Sequence, residues 1–202
     1  MRKMKFKDIL IPTISLFIIC IVITAALAVT NSITATKIAE NEAQAQQESM
    51  KVVCPDAQNF ELIFEAENGS AVYIGTKGEE GDIHNDILYT TGYAISTVAS
   101  GYGGQIKVMT GIDTDGNIIG IDVYYNDDET PGLGKNTSNE DFTSRFKGLV
   151  SSETIVVSKD YLGEGQKVDA VTSSTISSRA VISAVNEACD IYNNNVKWEG
   201  EQ

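Results

Sequence analysis

From Ile9 to Val29 the chain runs for 21 residues without a charge, and only Pro12, Thr13, Ser15 and Thr24 interrupt its apolar character. Wound as an α-helix, such a run is about 30 Å long, enough to cross the hydrocarbon core of a bilayer. Arg2, Lys3, Lys5 and Lys7 precede it, and the next cation is Lys37. Positive charge collects on the cytoplasmic side of a span, so this asymmetry predicts a single-pass protein of the cell membrane with its N-terminus inside. Residues 1–8 are then cytoplasmic, 9–30 form a transmembrane helix, and the rest lies outside. A cleaved signal sequence is the competing reading, helped by the small residues around Ala26 and Ala28. The apolar run is longer than the roughly 7–15 residues usual for a signal core, which favours a retained anchor.

Residues 31–51 are polar and rich in Ala, Gln and Glu, and read as a helical stalk leading to a folded domain over 52–202. Four of the 15 Lys/Arg and one of the 28 Asp/Glu precede residue 10, which leaves 11 against 27, a net charge of −16, for everything beyond residue 30. That field repels phosphodiester backbones and excludes nucleic acid as a partner. His84 is the only histidine, which argues against a zinc centre, His-ligated haem or a Ser-His-Asp triad. No metal site is expected. Cys54 and Cys189 form no CxxC, and whether they pair is open at this stage.

The domain reads as α+β. Apolar runs at Leu62–Phe64, Ala71–Ile74 and Ile87–Ala99 have the β-branched and aromatic content of strands. Between them Thr76–Asp86 reads as a polar surface loop. Asp115-Gly116 separates two further β-like runs and signals a hairpin, with Ile119, Ile121, Val123 and Tyr125 expected on one half-buried face. Gly101-Tyr102-Gly103-Gly104 lacks the residues of a phosphate-binding loop and reads as a tight turn at a strand start. Pro131-Gly132 marks another turn. Ser138 or Asn139 can cap a short helix carrying Phe142, Phe146 and Leu149, closed by Gly148. Thr154–Val157 reads as a strand, Lys159–Lys167 as a loop, and the chain after Tyr192 as a polar tail whose Trp198 supports no cofactor assignment.

The densest chemistry lies at Asp169-Ala-Val-Thr172-Ser173-Ser174-Thr175-Ile-Ser177-Ser178, where six of the seven residues from Thr172 to Ser178 carry hydroxyls. Apolar residues then recur helically at Ala180, Val181, Ala184, Val185, Ala188, Cys189 and Tyr192. Ser177 or Ser178 is the expected N-cap, with Thr175 just ahead of a helix terminus that favours phosphate. On composition alone, the hydroxyl cluster reads as a plain capping loop.

Asp169-x-x-Thr172-Ser173-Ser174-Thr175 resembles the Asp-x-x-[Ser/Thr]-Gly-Ala-[Thr/Ser] flavinylation motif of FMN-binding domains in membrane redox complexes. Glu129-Thr130-Pro131-Gly132-Leu133-Gly134 is similar to the loop beside the flavin in the same domains, and the Gly101–Gly104 stretch resembles the segment that leads into their hairpin. The resemblance implies a mostly antiparallel sheet packed with helices. It implies FMN joined by a phosphoester to Thr175, Asp169 as the acid recognised by a flavin transferase, and Thr172, Ser173, Ser174, Glu129, Thr130, Gly132 and Leu133 around the cofactor. Ser173 and Ser174 stand where the motif has Gly and Ala. If that Gly serves a positive φ, Ser173 is strained.

With its N-terminal anchor, the chain is similar to the G subunits of Rnf complexes, membrane ferredoxin:NAD oxidoreductases coupled to Na⁺ or H⁺ transport. The related C subunits of Na⁺-translocating quinone reductases rank second. The resemblance implies an electron carrier whose partners are the other subunits of such a complex, with no catalytic acid–base pair of its own. An anchored extracellular binding or sensory domain without flavin, or a free-standing extracellular flavoprotein, are the alternatives.

Overall fold

The computed structural model describes residues 6–66, 68–78, 88–159 and 165–196. Helix α1 (Phe6–Val53) supplies the described part of a first unit that ends at Gln44, and its last turns open a second unit that begins at Ala45. Within the first unit every residue from Leu10 to Glu40 is exposed. An apolar run left uncovered in this way marks a surface for a membrane or another protein. The helix is long and apolar enough to cross a membrane.

The second unit is built on a five-stranded antiparallel meander, β1 (Asn59–Glu65), β2 (Ala71–Gly78), β3 (Leu88–Ser100), β4 (Gln105–Ile112) and β5 (Ile118–Tyr125), in chain order across the sheet. Side chains alternate between its faces. Ile95, Ile106 and Val108 point into the larger core against α3 (Thr175–Ile191). Ala94 and Met109 point into a smaller core with Met50, Val53 and Cys54 from the end of α1. Gly111 allows that close approach, since a Cβ there would collide with the backbone and side chain of Val53. The sequence-based start of the domain at 52 therefore leaves out the turns of α1 that carry Ser49 and Met50, both buried.

On β5 the expected single face divides. Gly111 pairs with Gly120 and Ile112 with Ile118, so Ile119 is the extra residue of a bulge. It turns to the smaller core, while Ile118, Ile121 and Val123 enter the larger one. A bulge resets the period of two and cannot be read from alternation alone.

Phe142 and Phe146 sit edge-to-face in the larger core, carried by α2 (Glu140–Thr143) and the 3-10 turn Ser144–Phe146. Asn139 is the N-cap and Gly148, at φ 80°, closes the segment. β6 (Ile155–Val157) pairs in parallel with β7 (Gln166–Val168). The sequence reading placed Gln166–Lys167 in a loop; three residues give too short a run for periodicity to show. The pair is held from α3 by Asn186, which accepts from the Ile155 N–H at 2.9 Å and donates to its carbonyl at 2.8 Å. The polar tail read after Tyr192 is ordered as far as Val196, Tyr192–Val196 forming a π-helical turn with Val196 buried. Thr76–Gly78, expected in the polar loop, complete β2 instead. The rest of that loop, with His84, and Trp198 lie outside the described residues.

Cys54 and Cys189 are free, buried thiols in the two different cores. Burial, aided by Asp56 and Asp190 respectively, pushes each up to about 12.

Candidate functional site

β7 delivers the chain directly to the hydroxyl-rich stretch. Asp169 is exposed, and its carbonyl is held at 2.7 Å by Nη1 of Arg145, whose Nη2 pairs with Asp141. A tight turn follows, closed by the Ser174 N–H on the Val171 carbonyl at 3.0 Å. Its third residue, Ser173, has φ 62° and is the only non-glycine with positive φ among the described residues. A turn of this kind wants glycine there, because a Cβ in the left-handed region costs roughly 1–2 kcal/mol. The strain expected at Ser173 is thus present, and the motif's glycine acquires a physical reason.

The helix begins earlier than expected. Ser174 is the N-cap and Thr175 the first helical residue, whereas Ser177 and Ser178 lie buried inside the first turn. Both expected caps are drawn into tertiary bonds instead. Ser178 Oγ accepts from the Val171 N–H at 3.0 Å and donates to the Ser174 carbonyl at 2.9 Å, fastening the turn to the helix. Ser177 Oγ donates to Oε2 of Glu129 at 2.8 Å. Ser174 makes no side-chain cap bond, so the first-turn N–H groups beside the exposed Thr175 remain open to an anion.

Glu129 is only 2% exposed and binds three partners. Besides Ser177, its Oε1 accepts from the N–H groups of Tyr102 at 2.7 Å and Gly103 at 3.1 Å. The next four residues form the turn that Pro131-Gly132 announced. The Leu133 N–H donates to the Thr130 carbonyl at 3.1 Å, and Gly132 has φ 76°. A Cβ on Gly134 would collide with Oε2 of Glu129, so glycine is needed where the chain passes the carboxylate.

These elements enclose a cleft of about 520 Å³. Among the residues singled out in the sequence, Glu129, Thr130, Leu133, Ser173, Ser174 and Thr175 line it; Gly132, Thr172 and Asp169 do not. Tyr102, Gly134, Ile176 and Ser177 line it too and were missed as site residues. For Ser177 the clue was burial, which has no sequence signature in a serine. Tyr102 did carry a clue, being a lone aromatic among glycines.

The cleft suits a flavin mononucleotide. Its volume lies within the roughly 300–1,000 Å³ typical of small-molecule sites. A helix start with open N–H groups and hydroxyls matches a phosphate, and the exposed Tyr102, Leu133 and Ile176 match a flat, partly apolar ring system.

The FMN-binding domain family matches residues 101–190, which contain both loops and all but the last residue of α3, and the RnfG N-terminal region family matches residues 3–53. The G subunit of the Na⁺-translocating ferredoxin:NAD⁺ oxidoreductase complex of Acetobacterium woodii is 36% identical over 195 residues, covering 89% of each chain. The chain belongs to the family of Rnf G subunits. Other members are similar over comparable lengths. That of the proton-translocating ferredoxin:NAD⁺ oxidoreductase complex of Clostridium ljungdahlii is 31% identical, covering 88% of this chain and 86% of its own. That of the ion-translocating oxidoreductase complex of Methanosarcina acetivorans is 31% identical, covering 91% and 94%. The crystal structure of the C subunit of the Na⁺-translocating NADH-quinone reductase of Parabacteroides distasonis shares the fold, with a TM-score of 0.57 at 18% identity over 84% of this chain and 97% of its own. This RnfG-family chain therefore has the antiparallel FMN-binding fold that its motifs implied, with an apolar helix in front.

Proposed function

We propose that this chain is the electron-transfer flavoprotein subunit of an Rnf-type, ion-translocating ferredoxin:NAD oxidoreductase, and that it carries FMN joined through its phosphate to Oγ1 of Thr175. The observation that carries the reading is Thr175 itself. It is exposed, it is the first residue of α3, and it borders the cleft beside the strained turn at Ser173. Forming the phosphoester would join Thr175 Oγ1 to the flavin phosphorus with loss of the hydroxyl proton, as the P–O bond to the remainder of the transferase's flavin donor breaks and that remainder leaves. The first-turn N–H groups of α3 would then hold the phosphate charge. When bound, the isoalloxazine ring supplies the electron-accepting and electron-donating chemistry; the protein supplies placement and surroundings. Leu133 and Ile176 would shield the ring from water, and the hydroxyls of Ser173 and Ser174 would be available to the phosphate and ribityl oxygens.

Maturation requires a flavin transferase. The exposed Asp169, outside the cleft and steadied through its carbonyl by Arg145, is assigned to recognition by that enzyme. The charge asymmetry across the apolar run supports an N-terminus in the cytoplasm and a flavin outside. An extracytoplasmic domain cannot readily recover a lost cofactor, which gives the covalent bond its use. Relatives named for Na⁺ and for proton translocation match this chain over nearly the same span, so the choice of ion is assigned to the partner subunits.

Peptide mapping of the full chain, co-expressed with a flavin transferase, tests the reading. The fragment holding Thr172–Arg179 should gain the mass of FMN less one water, with fragmentation placing it on Thr175. An unmodified fragment from membranes in which a control flavoprotein is loaded would refute it.

A further inference from the structure

The turn between β3 and β4 presents one side chain. It runs Gly101-Tyr102-Gly103-Gly104 and is closed by the Gly101 N–H on the Gly104 carbonyl at 2.7 Å. All three glycines are pressed against the segment that carries Glu129. A Cβ on Gly101 would collide with Oε1 of Glu129, one on Gly103 with the carbonyl of Asp128, and one on Gly104 with the Asp128 side chain. The turn can approach so closely only because those positions lack side chains. What remains is Tyr102, 72% exposed, on the wall of the cleft.

Its backbone is fixed from beneath. Oε1 of Glu129 accepts both the Tyr102 and Gly103 N–H groups, while Oε2 accepts from Ser177 Oγ in the first turn of α3. One buried carboxylate thus ties the turn bearing Tyr102 to the helix start bearing Thr175. Leu133, 41% exposed, and Ile176, 53% exposed, complete an apolar rim. Large apolar side chains left in water around a concave site mark what the site binds.

We infer that Tyr102 is the aromatic side chain that packs against the flavin ring, and that Glu129 is a positioning residue that holds it there. The inference rests on the flavin reading above. It reassigns Glu129, because both its oxygens are engaged by protein donors, from a flavin contact to the bracket that sets the separation between Tyr102 and Thr175. An aromatic ring packed on a flavin quenches its fluorescence, and the asymmetric packing gives the flavin visible circular dichroism.

The test uses the full chain in detergent, co-expressed with a flavin transferase. Covalent flavin is measured after denaturation, and native fluorescence and visible dichroism are expressed per bound flavin. Tyr102→Leu should raise native fluorescence severalfold and weaken the dichroism, whereas Tyr102→Trp should keep both near wild type. So exposed a position is substituted with little effect on folding. Glu129→Gln keeps an oxygen for the two N–H groups and should retain the quenching; Glu129→Ala should be as bright as Tyr102→Leu. A purely structural Glu129 would change the yield of folded protein but not the fluorescence per flavin. Unchanged fluorescence and dichroism per flavin in Tyr102→Leu would overturn the inference while leaving the flavin in place. A wild-type chain without covalent flavin would instead overturn the reading beneath it.

Discussion

β4 ends in two hairpin turns, and a carboxylate receives the free N–H groups of each. At the β4–β5 end the acid is part of the turn. Asp113 Oδ1 accepts from the Asp115 N–H at 2.9 Å and the Asn117 N–H at 2.8 Å, and Gly116 takes the positive φ of 89°. At the β3–β4 end the acid comes from elsewhere. Glu129 reaches Tyr102 and Gly103 from 27 and 26 residues away, and is buried. In the first turn the acid and the N–H groups it receives lie within five residues, and only the turn's carbonyls are reached from afar, by Tyr192 Oη and the Ser151 N–H. The second is incomplete until a distant loop arrives, and closing it also places α3. A locally satisfied turn serves the sheet, whereas a remotely satisfied one builds the cleft.

Removing each acid should separate the two roles. Glu129→Ala leaves two N–H groups and the Ser177 hydroxyl without their acceptor, and orphaned buried groups cost about 1–3 kcal/mol each. A loss of roughly 3 kcal/mol or more is expected by urea denaturation, together with loss of the cleft's spectroscopic signature. Asp113→Ala, in a turn open to water, should cost only about 1 kcal/mol and leave any bound flavin unperturbed. Equal losses in the two variants would erase the distinction.

The Asp113 turn should also show in the pH dependence. Burial opposes ionisation of Asp113, but bonds from the Asn117 side chain and from the Asn117, Asp115 and Gly116 N–H groups outweigh it and hold the carboxyl below its ordinary value. A carboxyl lowered by folding stabilises the fold above its unfolded value near 3.8 and loses that contribution as pH falls through the folded one. Asp113→Asn should therefore lower stability at neutral pH and flatten the profile below about pH 4, so that variant and wild type converge as pH falls. A wild-type profile in the variant would contradict the assignment.

The smallest expected effect is at a third turn. Gly116 and Ser173 both take positive φ, yet only one is glycine. Ser173→Gly should raise stability by up to about 1 kcal/mol, strain relief being partly offset by the greater freedom of glycine when unfolded. It also restores the glycine of the family motif, so the fraction of chains flavinylated should rise or stay level. A loss of stability would mean that the Ser173 hydroxyl outweighs its strain.

The same contrast explains what the sequence made legible. The Asp-Gly hairpin, the Pro-Gly turn and the helix behind the hydroxyls depend mainly on neighbours within a few residues, and the structure contains each of them. The Ser177–Glu129 bond spans 48 residues. Nothing local distinguishes Ser177, which faces Glu129, from Ser174, which caps the helix, so the cap was placed three or four residues late. β7 and the bulge at Ile119 were missed for the same reason: their conformation is set by a partner strand. Glu129 stood in a recognised motif, but its partners, and with them its role, required coordinates.

Covalent flavin at Thr175 is tested most directly by the fluorescence of the fully denatured chain in a gel. Wild type, Thr172→Val and Thr175→Val would each be co-expressed with a flavin transferase whose activity is confirmed on a control protein. Fluorescent bands should appear for wild type and be absent for Thr175→Val. Thr172, exposed and outside the cleft, should affect only how much chain is loaded. A fluorescent Thr175→Val band, or a dark wild-type band beside a bright control, would contradict covalent attachment at this residue.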